Sequence, residues 1–223
     1  MEWGPLILTL KLAAVTTVIL FFLAIPLAYW LSRTTSRIKP VIEALVSMPL
    51  VLPPTVLGFY MLLAFSPNNS FGSWLDEWLG IRLVFSFAGL VLASVLYSLP
   101  FMVHPVQSGL SSLPRSLSEA AYVLGKSRRT TLRKVLLPNI RPSLLTGIVL
   151  TFAHTIGEFG VVLMIGGNIS GKTKVASIAI YDEVETLNYG AANMYSLILL
   201  GLSFVTLLIV YLVNGRYLKR FSR

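Results

Sequence analysis

The chain has 223 residues, 55% hydrophobic and 12% charged, with 18 Lys and Arg against 9 Asp and Glu and no Cys. Soluble domains carry about 25% charged residues, so this composition, with a mean hydropathy of +0.78, excludes a soluble enzyme, a disulfide scaffold and a disordered chain. Residues 44–75, 83–114 and 186–215 hold no Asp, Glu, Lys or Arg at all, and crossing a bilayer core takes about 20 apolar residues. The chain therefore reads as all-α: a polytopic transmembrane helix bundle.

The first expected span is 12–32. Its upstream flank lacks a basic run and its charges follow it, at Arg33, Arg37 and Lys39, so it reads as a span and not a signal peptide. That order places the N-terminus outside and the first loop in the cytoplasm. Alternation through the remaining spans tests the assignment. It puts 14 of the 18 basic residues inside and leaves Lys11, Arg82, Lys172 and Lys174 outside, a strong positive-inside bias. The basic surplus is thus topological. Nucleic acid is not an expected partner, because no aromatic residues alternate with the basic ones as stacking platforms.

The second span, 41–65, contains Pro49, Pro53 and Pro54, each of which removes or weakens helix hydrogen bonds. Two readings fit them, a static kink or a hinge lining a pathway. The third span is 84–106. A long polar segment follows, in which Ser116 and Glu119 have the spacing of a capping box. The short helix expected at 117–124 stops at Gly125, a natural left-handed corner, and a basic helix at 126–137 runs into Pro138. A helix this short needs a second surface, either its own bundle or a partner subunit.

The fourth span, 143–165, carries Thr151, His154, Thr155 and Glu158. Ionisable groups inside a membrane suggest function, and His154 and Glu158, four residues apart, are expected on one helical face. A proton relay, a metal site and a structural bridge all fit; a metal would also require His104 nearby. No metal or other cofactor is expected, and a structural or gate-positioning role for Glu158 is favoured over direct substrate contact. Thr151 and Thr155 offer neutral hydroxyl donors on that helix.

Residues 166–173 match the phosphate-loop pattern letter for letter. That motif works only between a strand and a helix N-terminus, so here the glycines are expected to serve a surface turn. An external amphipathic helix is expected at 175–185, then the fifth span at 191–213 and a basic cytoplasmic tail at 215–223. No internal repeat is visible, so an inverted-repeat secondary transporter lacks its pointer.

Glu119-Ala120-Ala121, then Gly125, a basic stretch and Leu137-Pro138, resembles the EAA loop of binding-protein-dependent ABC importer permeases. The segments 49–58 (PLVLPPTVLG), 157–160 (GEFG) and 167–173 (GNISGKT) are similar to the molybdate branch, with sulfate and tungstate permeases as close relatives. Ser170 departs from the Pro expected there, and His154 from the Arg that often precedes the GEFG segment. The resemblance implies a type I ABC importer permease domain over 8–214, with a cytoplasmic coupling loop at 107–141. It implies that Glu119, Ala120, Ala121, Leu124 and Gly125 couple to an ATP-binding ABC subunit, two copies per transporter. It further implies a pathway or gate involving Pro49, Pro53, Pro54, Thr151, Thr155, Gly157, Glu158 and Gly160. The other expected partners are an external molybdate-binding protein, a second copy of the chain and membrane lipid. The implied location is the bacterial cytoplasmic membrane, and the permease itself catalyses nothing. An intramembrane enzyme built on His154, Glu158 and His104 is the rival of a different class.

Overall fold

The computed structural model describes residues 2–221, with side chains described for 2–212. Helix α1 (Gly4–Arg33) starts earlier than the charge pattern suggests and carries Lys11 inside it. The Lys11 ammonium lies 4.7 Å over the Phe87 ring, so its charge is met by an aromatic face without breaking the helix.

The second expected span is not one rod. Helix α2 (Lys39–Ser47) and a 3₁₀ turn (Met48–Leu50) lead to α3 (Pro54–Phe65) through a bend of 108°. Pro54 supplies the first turn of α3, and Pro53 before it is extended at φ −54° and ψ 134°, the conformation a following proline enforces. Helix α4 (Ser70–Leu79) then turns back on a left-handed Gly80. Helix α5 (Phe87–Ser112) opens on Ser86, whose hydroxyl accepts from the Gly89 amide at 3.1 Å.

Helix α6 runs Arg115–Val123 with Pro114 as its N-cap and no side-chain cap. The expected capping box is therefore absent. Pro114, extended at ψ 141°, starts the helix two residues early and leaves Ser116 inside the first turn. The cap falls instead on Ser127, whose hydroxyl accepts from the Thr130 amide at 3.2 Å and opens α7 (Arg128–Thr131). Gly125 has φ +70°. Around it the Gly125 amide donates to the Tyr122 carbonyl at 2.9 Å and the Lys126 amide to the Ala121 carbonyl at 3.0 Å, the Schellman closure that favours glycine. The basic helix does not stop at Pro138. A π-helical turn (Leu132–Leu136) widens it and α8 (Leu137–Asn139) continues it. Pro138 has no N–H to give to the preceding turn, and the wider register accommodates that loss.

Helix α9 (Arg141–Ile156) ends well inside the expected fourth span, and α10 (Gly160–Gly166) resumes after a break at 157–159. Helix α11 (Ala176–Glu185) buries Ala176, Ile178 and Ala179, and α12 (Tyr189–Phe221) completes the described chain. The expected tail therefore begins as a continuation of α12, and its side chains lie outside the described residues.

Three helices are long and apolar enough to cross a membrane, and up to five crossings result if each bent pair counts as one: α2–α3, and Arg128–Asn139 with α9 at 81°. Helix α5 is central. It packs along α1, α9 and α10, while α3 lies on α10 and α12 on α9 and α11. One apolar cluster, around Leu20, Leu31, Met102, Leu110 and Leu136, fills the end that carries Arg33 and α6. A second, around Leu12, Leu90, Val161, Ile165 and Ile178, fills the opposite end. Phe204, Val205, Leu208 and Leu212 of α12 remain exposed, an apolar surface far larger than a monomer keeps against water.

Candidate functional site

The break between α9 and α10 is made by Gly157, Glu158 and Phe159. The Gly157 amide donates to the His154 carbonyl at 3.1 Å, while the Glu158 carbonyl accepts from the Ser177 hydroxyl at 2.5 Å. The backbone freed at the break is thus met from α11, which is what irregular chain at membrane depth requires. The Glu158 side chain is buried. Its Oε2 accepts from the Ser94 hydroxyl of α5, and its Oε1 has no partner among the described residues.

A cavity of about 480 Å3 opens beside this break, lined by Pro54, Tyr97, His154, Gly157, Glu158 and Gly160 among others. It is closed on one side by the α3–α10 contact. A Cβ on Gly160 would come within 3.0 Å of Pro54 Cβ, and one on Gly58 within 2.7 Å of Met164 Cβ and 3.0 Å of the Val161 carbonyl. Glycine at both positions lets the two short helices touch backbone to backbone.

His154 does not share a helical face with Glu158, because α9 has ended between them. The two are brought to one cavity by α5. Ser94 meets Glu158, and Ser98, one turn on, meets His154 Nδ1 at 2.9 Å and Thr155 Oγ1 at 3.0 Å. The Thr155 hydroxyl donates to the Thr151 carbonyl at 2.9 Å, so Ser98 donates to Thr155, and His154 Nδ1–H donates to Ser98. That chain places a hydrogen on Nδ1 of the ring. The ring stacks on Phe101 at 3.9 Å between centroids and tilts against Tyr97 at 4.8 Å.

Of the expected pathway residues, Pro54, Gly157, Glu158 and Gly160 therefore meet at one cavity. Pro49 and Pro53 lie at the α2–α3 bend. Thr151 and Thr155 are buried and do not line the cavity; Thr155 is engaged to Ser98, and the Thr151 hydroxyl has no partner among the described residues. His104 is elsewhere, with Nε2 3.2 Å from the Ser47 hydroxyl. Ser94, Tyr97, Ser98 and Ser177 escaped the sequence reading. Two serines four apart in an otherwise apolar span were the available signal.

The phosphate-loop lookalike follows α10, not a strand. The amides of Lys172, Thr173 and Lys174 all donate to the Ile169 carbonyl, at 3.1, 2.9 and 3.1 Å. Those amides are turned inward, and a phosphate would find none of them. Lys174 and Asn168 instead reach the Asp182 carboxylate of α11, at 2.5 and 2.6 Å.

At the other end, Val123 of α6 and Leu124 at its C-cap are 87% and 73% exposed; Glu119, at the mouth of a cavity beside α1, and Ala120 are exposed as well. Ala121 faces inward and is buried. One face of this nine-residue helix packs on the bundle through Ala121, and its apolar tip is uncovered.

Residues 9–219 match the model of the family described as binding-protein-dependent transport system inner membrane component. The chain belongs to this family. It is 47% identical over 205 residues to the molybdenum transport system permease protein ModB of Azotobacter vinelandii, covering 92% of this chain and 90% of that one. It is 32% identical over 212 residues to the sulfate transport system permease protein CysT of Salmonella typhimurium, covering 95% and 76%. The fold matches a chain of a bacterial ABC transporter involved in the import of the acidic polysaccharide alginate. The TM-score is 0.77 at 17% identity, over 96% of this chain and 78% of that one. The chain is thus a multi-pass inner-membrane component of a binding-protein-dependent transport system and is itself non-catalytic.

Proposed function

We propose that the chain is the permease of a molybdate importer, with tungstate as a second cargo of nearly the same size and charge. The observation that carries this reading is the 47% identity to ModB over nine-tenths of both chains, against 32% to a sulfate permease. Two copies form the route at their interface, and each takes one ATPase subunit on α6. In this reading Glu119, Ala120 and Leu124 meet the ATPase, Ala121 seats the helix, and Gly125 sets its angle. The N-terminus lies outside and the C-terminus in the cytoplasm, as the distribution of basic residues favours. Pro54, Gly157, Glu158 and Gly160 form the gate. Pro49 and Pro53 shape the bend that supports it, and Thr155, held by the Thr151 carbonyl, braces it through Ser98. The exposed carboxylate-free stretch of α3 suits a dianion better than a charged wall would, since cargo must pass and not be trapped.

The test is reconstitution of the chain with its ATPase in lipid, adding binding proteins loaded with molybdate, tungstate or sulfate. Molybdate-loaded protein is expected to stimulate ATP hydrolysis most. Stimulation by the sulfate-loaded protein alone would assign the chain to the other branch.

A further inference from the structure

A second cavity, of about 540 Å3, lies between the last turn of α1 and the inner side of α6, well away from the α9–α10 break. Its lining is dominated by cations: Arg33, Arg115 and Arg128 face it, against a single carboxylate, Glu119. Arg33 is packed so that Nε and Nη2 are buried with no hydrogen-bond partner among the described residues, and the Ser118 hydroxyl beside it is in the same state. A guanidinium has donors only, and leaving it desolvated and unpaired is unfavourable. The ion pairs of the described residues, Lys39–Glu43, Arg82–Asp76 and Lys174–Asp182, lie elsewhere. Tyr29 and Tyr122 also line the cavity, beside Arg33 and Arg128. The site is therefore rich in donors and positive charge and short of acceptors.

We propose that this cavity binds a tetrahedral anion of the phosphate class, held between α1 and α6. Guanidinium forks match the paired oxygens of such an anion, and the tyrosine and serine hydroxyls can donate to the remaining ones. The volume exceeds that of one oxyanion and leaves room for whatever the phosphate is attached to. Two sources share this chemistry. One is the headgroup of an anionic phospholipid, which the half-buried Trp30 at the rim would meet at the interface. The other is free inorganic phosphate or a related oxyanion from the aqueous phase. Bound from either source, the anion ties α6 to α1 and stiffens the helix that carries the docking tip. The inference involves no cargo, and it holds whichever oxyanion the transporter carries.

The test uses the full chain in nanodiscs of phosphatidylcholine. Inorganic phosphate is titrated in one arm and phosphatidylglycerol is mixed into the lipid in the other. Native mass spectrometry reads the bound species, and hydrogen exchange reads residues 115–123. One anion per chain with slowed exchange in α6 is expected in at least one arm, and the arm identifies the source. Arg115→Gln and Arg128→Gln, both at exposed positions, should weaken that binding about tenfold each. Arg37→Gln removes the same charge outside the cavity and should leave it unchanged. Absence of protection in both arms overturns the proposal. So does an equal loss in Arg37→Gln, which would mean that basic residues attract anions here without a site.

Discussion

Ser94 donates its hydroxyl hydrogen to Oε2 of Glu158, joining the middle of α5 to the break between α9 and α10 across 64 residues of sequence. Glu158 has no other side-chain partner among the described residues. We predict that Ser94→Ala lowers the stability of the detergent-solubilised chain by about 1–3 kcal/mol, the cost of a buried polar group left unpaired. Glu158→Gln keeps an oxygen that Ser94 can reach and should be milder. Thermal unfolding of the three proteins separates these outcomes, and equal melting of Ser94→Ala and wild type would remove the bond from any role at the break.

The Gly125 corner carries a second prediction. A side chain there would meet nothing within 4 Å, so the penalty of substitution is backbone strain alone, about 1–2 kcal/mol for a residue with a Cβ. Gly125→Val should therefore insert normally but misdirect α6, and it should lose the ATPase subunit on co-purification. A variant that keeps the ATPase and transports at the wild-type rate would contradict the coupling role of α6.

A pH dependence is expected at the glycine-rich turn. Burial works against ionisation of Asp182, yet the hydrogen bonds from Lys174 and Asn168 outweigh it and hold the carboxyl below its ordinary value of 3.8. A depressed carboxyl gives stability that is complete above the unfolded value and is lost as pH falls through the folded one. The hydrogen-exchange protection factors at 167–174, with the intrinsic pH dependence of exchange divided out, should thus be constant above about pH 5 and fall only below the ordinary carboxyl range. Asp182→Asn should exchange fast at every pH; protection unchanged in that variant would show that the turn holds itself.

The topology is open to a direct test. Ser36 and Ser70 are both exposed, one in the basic loop after α1 and the other at the start of α4. With cysteine at each position, an impermeant thiol reagent applied to intact cells is predicted to label residue 70 and spare residue 36. Labelling at 36 would invert the orientation.

What the sequence made legible was set by charge and by backbone chemistry. Stretches free of charge located the helices that cross, Gly125 marked its own corner, and the alternation of apolar and acidic residues found α11. The break at 157–159 was hidden because its residues sit inside a continuous apolar run, and hydropathy does not register which carbonyl the Ser177 hydroxyl will meet. The cap was assigned to Ser116 because spacing alone cannot show that Pro114 begins the helix earlier, whereas Ser127, following the glycine corner, had the same chemistry in the right place. For Thr151 and Thr155, periodicity gave a face but not what lies opposite it. Ser98 of α5 does, and it claims Thr155.

The Thr9 hydroxyl donates to the Pro5 carbonyl at 2.7 Å and accepts from the Ala176 amide at 2.8 Å, so α11 receives its cap from α1 across 167 residues. An emerging polypeptide that has not yet reached residue 176 cannot make this closure. The opening helix must wait in the bilayer with its acceptor vacant until the final third of the chain is synthesised. Translation order thereby makes docking of α11 a late event in biogenesis. Stalled or truncated products ending before residue 176 would lack this latch, leaving the Leu6 side of α1 uncovered for quality-control proteases to recognise.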